Sequence, residues 1–167
     1  MQVMAALGAV HDAGGMPHAI PANLDEARVA TLVERFYDKV RVDPLLGPVF
    51  NPLVDDWDAH KVLMTSFWAT VALGSGHYRG NPLAKHQPLP IGMEHFQRWL
   101  ALWRETAQQV LDADAATMMI GYAERIGYGM RVGMGLTRHL RGRESGIPVR
   151  ARQAPVARDP SRPLATG

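Results

Sequence analysis

The stretch Asn81–Trp103, NPLAKHQPLPIGMEHFQRWLALW, restricts this chain more than any other. Proline at 82, 88 and 90 removes amide donors and biases each preceding residue toward extended backbone, so regular helix is denied to most of the first half. His86 is thereby presented on a brief, stiffly bracketed turn, and an amphipathic helix carrying Trp99 and Trp103 follows at once. A turn of this kind aims one imidazole inward from a rigid support.

The 167 residues suit one domain, and an apolar content of 47% is enough for a true core. The net charge of +2 conceals an asymmetry: from Arg138 onward seven arginines face only Glu144 and Asp159, which leaves the rest of the chain at −3. The absence of cysteine excludes a disulfide framework, a thiolate metal site and CxxCH haem attachment. No run of about 18 apolar residues exists, so no membrane span is expected. The first twenty residues lack a basic start followed by an apolar run, so no signal peptide is expected either. The expectation is a soluble, cytoplasmic, monomeric domain.

Residues 1–21 are small, contain Gly and Pro, and read as a flexible leader; a domain over 22–137 and a disordered basic tail over 138–167 follow. Asn23 with Glu26 predicts a helix start, and Val29, Leu32, Val33, Phe36 and Val40 mark a buried stripe to about Arg41, with Tyr37 on its border. Gly47, Pro48 and Pro52 keep the next segment irregular and leave Phe50 as a large apolar side chain on a loop. Asp55, Asp56 and Asp58 place negative charge at the start of a helix over about 56–73, whose one face carries Trp57, His60, Met64, Trp68 and Val71, joined by Phe67. Helix 93–111 should bury Phe96, Trp99, Leu100, Trp103, Ala107 and Val110. A last helix opens at Asp112 with Met119, Ile120, Ala123, Ile126, Met130 and Met134 inward, and its glycines predict fraying beyond about 135. No strand alternation, phosphate loop or zinc spacing is present; the fold class is all-α.

Of seven histidines, His11, His18 and His139 read as solvated, His77 lies in a Gly-rich turn, and His95 lies off its apolar stripe. His60 and His86 alone have apolar surroundings. His60 reads as a core histidine bonded to a carbonyl, and His86 as a turn histidine in water. Alternatively, the two face one cavity, with neutral His86 as a metal ligand. Two histidines make a poor zinc cage, whereas haem needs one axial imidazole and a large apolar pocket. Tyr37 and Trp99 have ordinary readings as a snorkelling phenol and a core indole, but both are donors in apolar surroundings, where an unpaired donor costs about 1–3 kcal/mol. One shared acceptor would satisfy both.

Taken together these residues resemble the truncated haemoglobins, and within them group III. The matching pieces are Phe36-Tyr37, the loop Leu46-Gly47-Pro48-Val49-Phe50-Asn51, Trp57 with His60, Phe67-Trp68, Pro82-Leu83-Ala84-Lys85-His86, and Phe96-Gln97-Arg98-Trp99-Leu100, over about residues 24–130. The only Gly-Gly, Gly14-Gly15, lies in the leader, unlike the paired glycines of other truncated groups. The resemblance implies a two-over-two helical sandwich around non-covalent haem b. It implies His86 as the iron ligand, and Tyr37, His60, Met64 and Trp99 as the distal, ligand-facing set. Phe36, Phe50, Phe67, His60 and Trp99 would contact the cofactor with His86. Lys85, Arg79 and Arg98 are candidate propionate partners.

Three functions follow as expectations. The first is reversible binding of O2, and of NO or CO, at ferrous haem. The second is catalytic, an NO dioxygenase or peroxidase-like activity fed by an external reductase, since the chain carries no reductase module. The third is a haem-independent helical interaction module whose basic tail meets an acidic partner, with nucleic acid not the favoured one.

Overall fold

A computed structural model describes residues 19–137, and within them six helices and no strand. Helix α1, Glu26–Val42, starts where the Asp25 carboxylate accepts the Arg28 N–H at 2.8 Å. The expected cap, Asn23, lies upstream of that position; its amide instead donates to the Asp112 carboxylate, tying the start of α1 to the start of the last helix. Short α2, Gly47–Phe50, replaces the irregular segment expected there, and Phe50 ends it. Pro48 is tolerated because first-turn amides have no intrahelical partner anyway.

Helix α3, Trp57–Leu73, is capped by Asp56, whose carboxylate accepts the Ala59 N–H at 2.9 Å. It stops at Gly74, whose φ of +70° is a left-handed value that side chains with a Cβ resist. Pro82–His86 forms α4, a single turn capped by Asn81. The prolines were expected to deny helix here, but Pro82 occupies the first helical position and Pro88 lies beyond the end. Helix α5 spans Met93–Val110 and α6 spans Ala113–Gly133. The chain continues as turn to 137, two residues past the expected fraying point.

Packing makes α1 the hub: it lies against both α3 and α5, and α5 pairs in turn with α6. The stripe Val29, Leu32, Val33, Phe36 and Val40 is buried as its spacing predicts. On α5 the deepest arc is rotated from the expected one. Leu102 and Thr106 are buried, whereas Trp99, Leu100 and Val110 are half-buried. Thr106 fits that arc because its hydroxyl donates to the Leu102 carbonyl one turn back, at 2.7 Å. On α6, Met119, Ala123 and Met130 are buried as expected, while Ile120, Ile126 and Met134 are half-buried. The core centre is three indoles in near-parallel planes. Trp68 lies 4.1 Å from Trp103, Trp99 lies 6.0 Å from Trp103, and Trp103 donates to the Met119 carbonyl at 3.1 Å.

Asp43, just past α1, secures the α1–α2 corner. Its side chain is 1% exposed, and it accepts the Leu45 and Leu46 amides at 3.0 Å and the Arg98 guanidinium of α5 at 2.6 Å. Burial alone would raise its pKa, but the Leu46 amide, Arg98 and the Leu45 amide outweigh that and hold it below the usual carboxylate value. The expected leader up to residue 18, the basic tail from 138, and His11, His18 and His139 lie outside the described residues.

A depressed native pKa means that Asp43 contributes stability above its unfolded value of about 3.9 and loses it as pH falls through the lower native value. Urea unfolding of Asp43→Asn should show a loss of about 2 kcal/mol near neutrality, and the gap to the parent should narrow in acid.

Candidate functional site

Tyr37 follows the fully buried Phe36 on α1, so helical geometry turns it about 100° off the core stripe toward α3. On α3, Trp57 and His60 stand one turn apart and share a face. The three rings cluster: Tyr37 is 5.1 Å from His60, edge-on at 89°, and 6.0 Å from Trp57, while Trp57 is 5.5 Å from His60. Met64, one turn after His60, is half-buried against the main core. Trp99 enters from α5, 5.9 Å from Phe36 and 6.4 Å from Trp68. Phe36 is 0% exposed and supports Tyr37 and Trp99 from behind; Phe67 is also buried, with its edge on Trp68. Among the described residues, the side-chain hydrogen bonds engage the indole of Trp103 but not the Trp99 indole or the Tyr37 hydroxyl.

The opposite wall is built around α4. Its single turn brings His86 Nδ1 to 2.7 Å from the Pro82 carbonyl. A carbonyl only accepts, so Nδ1 donates here and Nε2 is the ring nitrogen left to meet a metal. The Phe50 ring is 6.1 Å from His86. Around them Ile91, Phe96 and Met130 form a second, smaller apolar cluster edged by Val49, Leu83, Leu89 and Met134. The core is thus divided, and Phe50 and Ile126 belong to the rims of both parts. Gly133 lets α6 approach this wall, because a Cβ there would come within 2.7 Å of a Leu83 methyl.

Electrostatics connect the two walls. Burial, and after it the charge of His86, holds His60 below the usual histidine value, so His60 is neutral at pH 7. Burial, with a smaller contribution from Tyr78, pushes the Tyr37 phenol far upward and keeps it a donor. Of the candidate propionate partners, Arg98 is committed to Asp43 and Arg79 donates to the Gly76 carbonyl at 2.9 Å, while Lys85 is exposed on α4. His77 is exposed, and His95 accepts the Gly92 N–H at 3.0 Å as a cap for α5. An open groove of about 630 Å³ lined by Asp38, Arg41, Val42, Asn51, Val54 and Trp57 lies apart from His86 and shares only Trp57 with the ring cluster.

Two residues near these rings escaped sequence reasoning. Lys61, beside His60, is buried with its ammonium 2.7 Å from both the Glu34 and Asp38 carboxylates of α1. Burial would lower its pKa, but the hydrogen bonds it donates to Asp38 and Glu34 prevail and raise it. The available signal was Lys61 at an apolar slot, four residues after Trp57, facing two acids spaced one turn apart. Tyr78 is buried with its ring 5.1 Å from Phe67, and only a glycine at 80 leaves room for its hydroxyl.

The pattern of the bacterial-like globin family matches residues 24–127. Over 108 residues the chain is 37% identical to the group 3 truncated haemoglobin ctb of Campylobacter jejuni, an alignment covering 62% of this chain and 85% of that protein. It is 28% identical over 105 residues to the group 2 truncated haemoglobin YjbI of Bacillus subtilis, covering 60% and 79% respectively. The crystal structure of the group III truncated haemoglobin from Campylobacter jejuni superposes with a TM-score of 0.65 at 33% identity, over 72% of this chain and 98% of that one.

The His60 shift has a measurable sign. In a proton NMR titration the His60 imidazole should titrate below about 6.5, the ordinary value. Its depressed native pKa also means that protonating it costs stability as pH falls through that native value. A His60 midpoint above 6.5 would contradict the enclosed position assigned to it.

Proposed function

The chain belongs to the bacterial-like globins and, within them, to the group III truncated haemoglobins; from that premise we propose that it holds haem b without covalent attachment and reversibly binds O2, with NO and CO as further ligands. The observation that carries this reading is His86: its Nδ1–H is committed to the Pro82 carbonyl, and Nε2 is the ring nitrogen left over, on a ring 6.1 Å from Phe50. The divided core fits the same group. A broad, flat apolar molecule is the kind of body that half-buried Phe50, Met64, Trp99, Leu100 and Ile126 would cover. Haem, when bound, would supply an iron that takes a diatomic ligand.

This chain's own residues would do the rest. The Pro82 carbonyl orients the His86 ring. Phe50, Phe67 and Met64 would keep water from the cofactor, and Phe36 holds Tyr37 and Trp99 at their angles. No side-chain hydrogen bond among the described residues engages the Tyr37 hydroxyl or the Trp99 indole N–H, and neither is a fully buried atom left unsatisfied. A polar diatomic ligand would accept from both, and such bonds strengthen where water is excluded. Neutral His60 can donate or accept at the same place.

Absorption spectra of the purified protein and of His86→Ala, in ferric, ferrous and CO-saturated forms, test the reading. The parent should show a Soret band that is lost or shifted in the variant; a band indifferent to the substitution would reassign the ligand, and no band at all would end the haem proposal. Tyr37→Phe and Trp99→Phe should each release O2 about fivefold to thirtyfold faster in stopped-flow, the equivalent of ~1–2 kcal/mol for one lost hydrogen bond.

A further inference from the structure

Lys61 is placed where no apolar pattern would put a charge. It is 6% exposed, and its ammonium lies 2.7 Å from Glu34 Oε1 and 2.7 Å from Asp38 Oδ1. Those two contacts are the only side-chain hydrogen bonds between α1 and α3 among the described residues. The acids stand four residues apart on α1 and straddle Tyr37: Glu34 is one turn before it and Asp38 immediately after. Lys61 itself immediately follows His60. The Lys61–Asp38 contact is thus one residue removed, on each helix, from the two rings that meet edge-on at 5.1 Å, and the Glu34 contact lies one turn earlier on α1.

The ring contact alone is soft. An edge-on aromatic pair contributes only ~1 kcal/mol and tolerates sliding over a range of distances. A helix that slips by one residue moves about 1.5 Å along its axis and turns its side chains by about 100°. One ammonium held by the carboxylates of two residues whose backbones lie about 6 Å apart along α1 resists both motions. Slippage would also leave a buried charge uncompensated, which is strongly unfavourable. The carboxylates are more than half exposed, so the expensive group is the lysine, and its seat sets the register.

We propose that Lys61 is the positioning residue of the Tyr37–His60 pair: by clamping α3 to α1 in one axial and rotational setting, it fixes the distance and angle between phenol and imidazole, and with them the hydrogen-bonding power offered to a bound ligand. The clamp does not touch the ligand. Its ligand-binding consequence rests on the haem reading above, while its geometric content concerns two protein rings and stands separately.

Lys61→Met is the informative variant, because it keeps an unbranched apolar stem and removes the charge; should it fail to fold, Asp38→Asn, which leaves the Glu34 contact, takes its place. The first measurement is the nuclear Overhauser contact between the Tyr37 and His60 rings in CO-saturated protein as purified. The parent should show it, and the variant should lose it or spread it over several environments. The second is O2 dissociation in a double-mutant cycle. Lys61→Met should speed release about tenfold in the parent and less than twofold in the Tyr37→Phe background, because the clamp acts through the phenol. Equal acceleration in both backgrounds, or an unchanged ring contact, would overturn the proposal, since a lysine that merely stabilises the fold would give that result. A lost ring contact in a protein with no Soret band would support the clamp and defeat the haem reading; a normal Soret band with an unchanged contact would do the reverse.

Discussion

Phe36 is the contact on which the other aromatic positions depend. It is wholly enclosed, and its ring meets those of Tyr37, Trp99 and Trp103 at 5.0, 5.9 and 4.9 Å, each near perpendicular. Edge-to-face geometry suits the aromatic quadrupole, so each contact prefers an orientation as well as a distance. Through these rings α1 sets the position of α5, and through Trp103 stacked on Trp68 it also sets α3. The hub explains why Tyr37 and Trp99 are held steady although no side-chain hydrogen bond among the described residues engages their polar atoms. Their rings are packed against Phe36, which fixes where their polar tips lie.

Polar groups set the register that apolar packing leaves loose. Apolar contact is non-directional and roughly proportional to area, so it presses helices together without choosing one axial setting. Lys61 between Glu34 and Asp38 chooses it for α1 and α3; Asp43 with Arg98 chooses it for the α1–α2 corner against α5. The second of these also bears on the site, because α2 ends in Phe50, the ring beside His86. Each buried charge is compensated by more than one partner, the condition under which charges persist in an interior. The two walls of the site are therefore each referenced to α1 by an ion pair as well as by packing.

Much of this arrangement was legible in the residues. The buried stripe of α1 followed from spacing alone, as did the existence of the four long helices. Their ends came close because Asp56, Gly74 and Asp112 act through short-range hydrogen bonds and dihedral limits. Errors arose where a local rule met a nearby competitor: Asp25 displaced Asn23 as the cap, and Pro82 opened a helical turn where prolines seemed to forbid one. The face of α5 was misjudged for a different reason. That helix is covered from two sides, by α1 and α6, so Leu102 and Thr106 become deepest while Trp99 and Leu100 turn away from the most enclosed arc.

By itself the sequence determined where the four long helices lie, that His86 sits on a brief Pro-bracketed segment, and which aromatic and polar residues are available to a site. Those properties depend on neighbours within about four positions, where periodicity, caps and proline chemistry operate. Tertiary structure alone decided that Lys61 answers Glu34 and Asp38, that Asp43 answers Arg98, and that Tyr37 meets His60 edge-on. These partners are separated by 23 to 55 residues. Their meeting depends on the angle and register at which whole helices pack, which one-dimensional spacing does not encode.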